Sequence, residues 1–130
     1  PSVHSILASQ LKKDDEAYDF FGFATRLDLD NYNRNTNQGI HTTSIAAAWM
    51  NIVYGFGGLR SDGEKLSVAP SIPKNWGGYS FNISYKGVVI EIKVDKENVY
   101  IKTKGDGVVE LNVYGKDVEI NSEGYKCEVE

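Results

Sequence analysis

Cysteine, histidine, proline and methionine are scarce in this chain: its 130 residues include one cysteine, two histidines, three prolines and one methionine. The lone thiol, Cys127, forms no internal disulfide and no thiolate metal site, which suits a reducing compartment and sets the cytoplasm as the expected location. No apolar run approaches the roughly 20 residues that span a bilayer, and no basic segment followed by an apolar core opens the chain. Positive charge is not in excess either. With 18 acidic against 14 basic residues and a formal net charge of −4, the chain lacks the electrostatic footprint of a protein that binds nucleic acid or an anionic membrane. Neutral molecules and locally bound anions remain as partners. The first residue is Pro1 and not an initiator methionine, so a piece of something longer is expected.

What is present changes character near residue 60. An apolar share of 41% suffices for one sizeable core or two small ones. Up to Tyr54 the apolar residues recur at helical spacing: Val3, Ile6, Leu7 and Leu11, then Ala17, Phe20, Phe21 and Ala24. Both segments read as amphipathic helices. Ser2 after Pro1 starts the first, and Asp14-Asp15-Glu16 places acidic residues in the first turn of the second, where the helix dipole favours them. The Asn- and Asp-rich stretch from Asp28 to Gln38 reads as a loop. A third apolar stretch, Ile45 to Tyr54, follows and is stopped by Gly55-Phe56-Gly57-Gly58.

Beyond Arg60 the pattern alternates. Tyr79 to Tyr85 and Val89 to Val94 switch between apolar and polar at every residue, joined by a tight turn at Lys86-Gly87. Asp95 to Asn98, Gly105-Asp106-Gly107 and Gly115-Lys116 mark further turns between short strands, and the spacing predicts an antiparallel sandwich or layered sheet. No internal repeat or low-complexity segment is visible. The residues thus predict an α+β chain, helices first and an antiparallel β unit second.

The segment Asn35-Thr36-Asn37-Gln38-Gly39-Ile40-His41 carries the most chemical information. It puts His41 at the mouth of the third helix, where unpaired backbone N–H groups and the helix dipole favour an anion and an imidazole adds a side-chain donor. A capping or packing role for His41 fits the local sequence equally well. His4, next to Val3 in the first amphipathic segment, reads as a partly buried structural residue. Asp28, Asp30 and Asn33 loosely echo a calcium loop, but the glycine and terminal glutamate of such a loop are missing. Asp28 and Asp30 also offer a carboxylate pair, although nothing in their spacing marks one as an acid of raised pKa. Ser44 lies within a turn of His41 without an identifiable third partner for nucleophilic catalysis. Gly55-Phe56-Gly57-Gly58 ends a helix, so it is not a nucleotide loop. Tyr79, Phe81, Tyr85 and Tyr100 alternate as core residues do, in preference to forming a sugar-stacking platform.

Taken in order, Leu27-Asp28-Leu29-Asp30, Asn35-Thr36, Gly39-Ile40-His41, Ala48-Trp49, Gly55-Phe56-Gly57-Gly58-Leu59-Arg60, Leu66, Ala69-Pro70, Ile72-Pro73 and Trp76 resemble the C-terminal end of glycoside hydrolase family 65, the family of maltose phosphorylases and their relatives. The resemblance covers roughly residues 1–95, and Pro1 to Ser9 resembles the helix after the family's His-Asp-Ser-Ser-Leu-Ser segment. It implies that residues 1–60 are the last helices of a catalytic (α/α)6 barrel and that 61–130 form a small C-terminal β-sandwich. It further implies inverting phosphorolysis of an α-glucoside such as maltose, trehalose or kojibiose to β-glucose 1-phosphate. Inorganic phosphate is then the co-substrate, with no other cofactor and no metal. The general acid, a glutamate in the family, is expected outside this chain, which alone would be inactive. His41 matches the family histidine that helps to bind phosphate, with Thr42 and Ser44 as neighbours that assist. Helices without the rest of a barrel should expose an apolar face and associate, so a homo-oligomer is expected. A rival reading is a stand-alone carbohydrate-binding or interaction module, whose sheet would present Trp76 and tyrosines in a row on one face.

Overall fold

Residues 1–31 and 34–130 are described by a computed structural model of the chain. They divide into two compact units, Pro1–Phe56 and Gly57–Glu130. Helix α1 spans Ser2–Gln10, α2 spans Asp14–Arg26 and α3 spans Thr42–Met50; a 3₁₀ turn, Thr36–Gln38, precedes α3 and a π-helical turn, Asn51–Phe56, continues it. The acidic first turn of α2 holds Asp14, Asp15 and Glu16 as expected. Asn33, part of the calcium-loop comparison, lies outside the described residues.

The first unit corrects the expected apolar face of α1. Its buried residues are the small ones, Ser5 and Ala8, whereas Val3, Leu7 and Leu11 are exposed. Small side chains let backbones approach closely, and the partners of α1 use them too: Ala17 and Ala24 are the buried residues of α2. Ser5 Oγ donates to the Ala17 carbonyl at 2.8 Å, which gives a fully buried hydroxyl its partner. The π-helical turn packs on α1 at Gly55, where an added Cβ would stand 3.5 Å from Ser9 Oγ and 3.7 Å from Ile6 Cα, in ordinary van der Waals contact. Phe21 meets Phe56 edge-on at 5.7 Å to complete this core. His4 is also corrected. It is exposed, with its ring 5.2 Å from that of Phe20.

The second unit is a two-sheet β structure. Its strands are β1 (Ser67–Val68), β2 (Gly78–Tyr85), β3 (Val88–Asp95), β4 (Asn98–Lys104), β5 (Val109–Val113), β6 (Lys116–Ile120) and β7 (Tyr125–Glu128). One sheet has the order β1-β5-β6 and the other β2-β3-β4-β7. The β2–β3 hairpin turns at Lys86 and Gly87, both at positive φ, as a two-residue turn between twisted strands requires. All pairs are antiparallel except β1 with β5, which run parallel through Ser67↔Asn112. Arg60 bridges Ser67 by two backbone hydrogen bonds, so Gly57 to Arg60 fold with the strands.

Alternation decides which side chains enter this core. Ile90, Ile92 and Val94 of β3, Val99 and Ile101 of β4, and Val109, Leu111 and Val113 of β5 are all buried, each worth about 1.5–3 kcal/mol relative to exposure. Tyr79 and Phe81 stack with centroids 6.4 Å apart, and Tyr79 donates to the Ser71 carbonyl at 2.7 Å. Burial pushes the Tyr79 phenol well above its ordinary pKa. Core packing is therefore the role of these aromatics. Tyr100 differs, lying between Lys93 and Lys126 on the opposite sheet face with the Lys126 ammonium 5.5 Å from its ring.

Gly58 is the tightest backbone constraint of the second unit. Its φ of +61° is left-handed, and a Cβ there would meet the Ala69 carbonyl oxygen at 2.5 Å. Gly58→Ala is expected to destabilise the second unit by about 2 kcal/mol or more in denaturant titrations. Gly77→Ala, at a position with nothing within 4 Å of the added carbon, is the control and should change stability far less.

Candidate functional site

The residues that gather around His41 come from two helix ends and the loop between them. Helix α2 ends at Arg26, and the chain turns with Leu29 and Asp30 N–H groups on the Arg26 carbonyl. Arg26 grips Asp30 through Nε–Oδ2 at 2.6 Å and Nη2–Oδ1 at 2.5 Å, a fork that closes the turn and leaves Asp28 in its middle. Asn31, at φ +49°, accepts from Thr36 N at 3.1 Å and from Thr36 Oγ1 at 2.7 Å, which anchors the 3₁₀ turn beside Asn35. Gly39, at φ +105°, then leads the chain into α3 with His41 as its N-cap.

Asp28 reaches His41 with both carboxylate oxygens. Oδ2 accepts the His41 backbone N–H at 2.9 Å, and Oδ1 accepts from the ring Nδ1–H in a short hydrogen bond. The other ring nitrogen, Nε2, lies 3.2 Å from Asn35 Nδ2. Asp28 and His41 are both partly buried, at 22% and 31% side-chain exposure, so solvent screens their contact only in part. The Asp28 carboxyl is held below its ordinary pKa, first by the hydrogen bond from the His41 ring, against burial, and then by the backbone bond and the charge of His41. Asp30 is likewise held low, by the Arg26 guanidinium. Neither is a raised-pKa acid, so these carboxylates do not form the acid and base of a glycosidase pair.

The structure joins some of the expected site residues and not others. It brings Asp28 and Asn35 onto His41, a grouping hidden in the sequence because Asp28 lies 13 residues away on another element. The acidic residue in the Leu-Asp-Leu-Asp run was the available signal, and it pointed to chemistry of its own instead of to a histidine partner. Thr42 begins α3 and is exposed; Ser44 is partly buried and its N–H turns back to the His41 carbonyl at 2.9 Å. The group on Nε2 is the Asn35 amide and not the Ser44 hydroxyl, so the constellation is not a Ser-His-Asp nucleophile. Among the described residues no group of three or more His, Cys, Asp and Glu side chains stands together as a metal site, and no helix is long and apolar enough to cross a membrane.

Comparisons with known proteins converge on one family. Residues 1–50 match the model described as the glycosyl hydrolase family 65 central catalytic domain, and residues 59–120 match that family's C-terminal domain. The chain is 42% identical over 128 residues to a maltose phosphorylase of Bacillus subtilis (strain 168), covering 98% of this chain and 16% of that protein. An α,α-trehalose phosphorylase of Thermoanaerobacter brockii is 40% identical over 118 residues, with 91% of this chain and 15% of the relative covered. A solved structure described as a candidate kojibiose phosphorylase from the human microbiome superposes with a TM-score of 0.91 at 51% identity, over 100% of this chain and 19% of that one. The chain thus spans about one sixth of the length of the curated relatives it matches, at 16% and 15%.

The depressed Asp28 pKa gives a pH dependence of definite sign. A carboxyl whose folded pKa is lowered stabilises the fold above its unfolded pKa of about 4 and loses that contribution as pH falls through the folded value. The stability difference between the wild-type chain and Asp28→Asn, from thermal melts at stepped pH, should be full near neutrality and shrink below about pH 4. A difference that stays constant down to pH 2 would show that the carboxylate is not ionically paired in the fold.

Proposed function

The chain belongs to glycoside hydrolase family 65, and we propose that it is the C-terminal part of an inverting disaccharide phosphorylase in which His41 helps to hold the attacking phosphate. In this reading the helical unit Pro1–Phe56 supplies the last helices of the (α/α)6 catalytic barrel and Gly57–Glu130 is the C-terminal β domain, a boundary slightly before the residue 60 expected from the sequence. The observation that carries it is the placement of His41 at the N-terminus of α3, backed by Asp28, inside the stretch matched to the family's catalytic domain. A helix N-terminus with an imidazole beside it recognises an anion by backbone N–H groups, dipole and side-chain donor together. Thr42 and Ser44, in the first turn of α3, are the nearest hydroxyls to assist.

The chemistry needs one proton donor and one phosphate. A phosphate oxygen bonds to the anomeric carbon from the face opposite the leaving group while the glycosidic C–O bond breaks. The departing oxygen takes its proton from a general acid, and the α-glucoside becomes β-glucose 1-phosphate. Asp28 and Asp30 are engaged by His41 and Arg26, which supports a general acid elsewhere, in the part of the barrel beyond this chain. Phosphate is the co-substrate and no organic cofactor or metal takes part. The relatives are named for maltose and trehalose, which leaves the disaccharide itself to parts of the barrel beyond this chain. A reducing, cytoplasmic setting accords with the free thiol of Cys127.

Exposed apolar side chains support the assignment of the helices to a larger barrel. Val3, Leu7, Leu11, Phe23, Ile45, Trp49 and Met50 are all exposed on the first unit, whereas the rival module requires a row of aromatics on a sheet face. Tyr79 and Phe81 of β2 are spent on packing, and Lys126 covers the ring of Tyr100. The 130-residue chain alone is expected to self-associate through its bare helices and to turn over nothing.

In the full-length protein, glucose 1-phosphate release from maltose, trehalose or kojibiose should require phosphate, and His41→Ala should raise the phosphate KM at least tenfold. Disaccharide cleavage that proceeds equally fast without phosphate would refute the assignment. For the isolated chain, calorimetry at millimolar phosphate should show no clear binding, and a strong signal abolished by His41→Ala would count against its being an incomplete site.

A further inference from the structure

We propose that Asp28 is the positioning residue of His41: its two oxygens take the ring Nδ1–H and the backbone N–H, so that Nε2 is the ring nitrogen that meets an anion. The identity of that anion as phosphate rests on the function proposed above. The geometric part does not.

An ionised carboxylate only accepts hydrogen bonds, so the nitrogen facing Asp28 Oδ1 carries the proton. Asp28 Oδ2 holds the backbone N–H of the same residue at 2.9 Å, which ties the ring contact to the N-cap of α3. A half-turn of the imidazole would replace Nδ1 by a carbon and lose the bond, so this two-point grip selects one ring orientation as well as one tautomer. Carboxylates behind metal-bound histidines fix ring and tautomer by the same contact, with the opposite nitrogen presented to the ligand.

Asn35 completes the arrangement. Its Nδ2 has only hydrogens to offer, so in this state Nε2 accepts at 3.2 Å through its lone pair. The Oδ1 of the same amide is buried and has no hydrogen-bond partner among the described residues, which is costly for a carbonyl oxygen. Half a turn of the amide puts that oxygen on Nε2 and lets it accept from a protonated ring. Asn35 therefore holds Nε2 in either protonation state while no anion is bound, and an anion that meets Nε2 takes the place of its amide. An anion arriving at the helix mouth favours the protonated ring, whose Nε2–H then points away from Asp28 while the carboxylate offsets the added charge.

Long-range proton–nitrogen correlation NMR on the 130-residue chain reads which ring nitrogen is protonated, with exposed His4 as the internal reference. At a pH where the ring is neutral, wild-type His41 should be almost wholly the Nδ1–H tautomer. Asp28→Asn, whose amide can turn its NH2 to the ring, should shift the population toward Nε2–H, and Asp28→Glu should restore Nδ1–H in part. In the full-length protein Asp28→Asn should raise the phosphate KM roughly 10- to 100-fold, the range of one charge-assisted hydrogen bond, with a much smaller change in kcat. A wild-type His41 found as Nε2–H or as an even mixture overturns the proposal, and that measurement needs no variant to fold. So does Asp28→Asn with wild-type tautomer and KM while His41→Ala raises KM. If His41→Ala leaves the phosphate KM unchanged, the phosphate reading fails and the tautomer measurement alone decides whether Asp28 positions the ring.

Discussion

The grip of one carboxylate on one histidine organises the helical unit. Asp28 stands just past the end of α2 and His41 at the start of α3, so their two hydrogen bonds close the whole connection between those helices. The loop is otherwise rich in residues that favour turns over regular structure, and it depends on such side-chain anchors. Asn31 on Thr36 and Arg26 on Asp30 add two more, each spanning only four or five residues. The Asp28 contact is the long one, at 13 residues. It also places negative charge at the N-terminus of α3, where the helix dipole favours it.

The two units solve the problem of burial differently. Residues 57–130 follow the strand rule: every second side chain of β3, β4 and β5 goes inward, and those side chains are Ile, Val and Leu except Thr103. Thr103 N–H to the Asn121 carbonyl, at 3.0 Å, and Thr103 Oγ1 to Gly107, at 2.7 Å, pin β4 where the chain leaves its sheet. Residues 1–56 instead bury Ser5, Ala8, Ala17, Ala24 and Gly55, with Val53 and Phe56 the large apolar side chains inside and Val3, Leu7 and Leu11 outside. Helices that touch through small residues come close but bury little apolar area per contact, so this unit has less hydrophobic stabilisation of its own. That imbalance is what a set of helices shaped for a larger assembly would show.

Local rules made much of this legible. Alternation located β2 and β3 to within a residue or two, and Lys86-Gly87 was readable as a turn because few residue pairs take two positive φ values in succession. The two-residue β1 and its parallel pairing with β5 were not, since a strand that short carries no period and its partner lies 45 residues on. Periodicity also misjudged α1. Val3, Leu7 and Leu11 sit at the right spacing for a buried stripe, but a stripe shows only which residues share a face. In the site, the turn formers before His41 identified the helix mouth, whereas its link to Asp28 is a contact between elements that no local pattern encodes. The family resemblance, carried by short motifs at matching spacing, reached the biochemical class that residue chemistry alone left open.

A carboxylate behind the proposed anion site needs a physical account, because like charges repel. Distance and the intervening ring supply it. Coulomb energy falls as the inverse of separation, and an anion on Nε2 would be held away from Asp28 by the width of the imidazole and two hydrogen bonds. A protonated ring between them attracts both at roughly half that separation, so two attractions oppose one weaker repulsion. The carboxylate thus sits on the far side of the ring and does not compete for the face that an anion on Nε2 would approach. A histidine with its Nδ1 free would choose its own tautomer, and burial would disfavour its charge. The Asp28–His41 pair is therefore more than an N-cap. The backbone bond to His41 alone would have secured the start of α3, and the ring bond adds nothing to that task that a water could not provide. What it adds is a fixed ring orientation, with Nδ1 on Asp28 and Nε2 turned away from it.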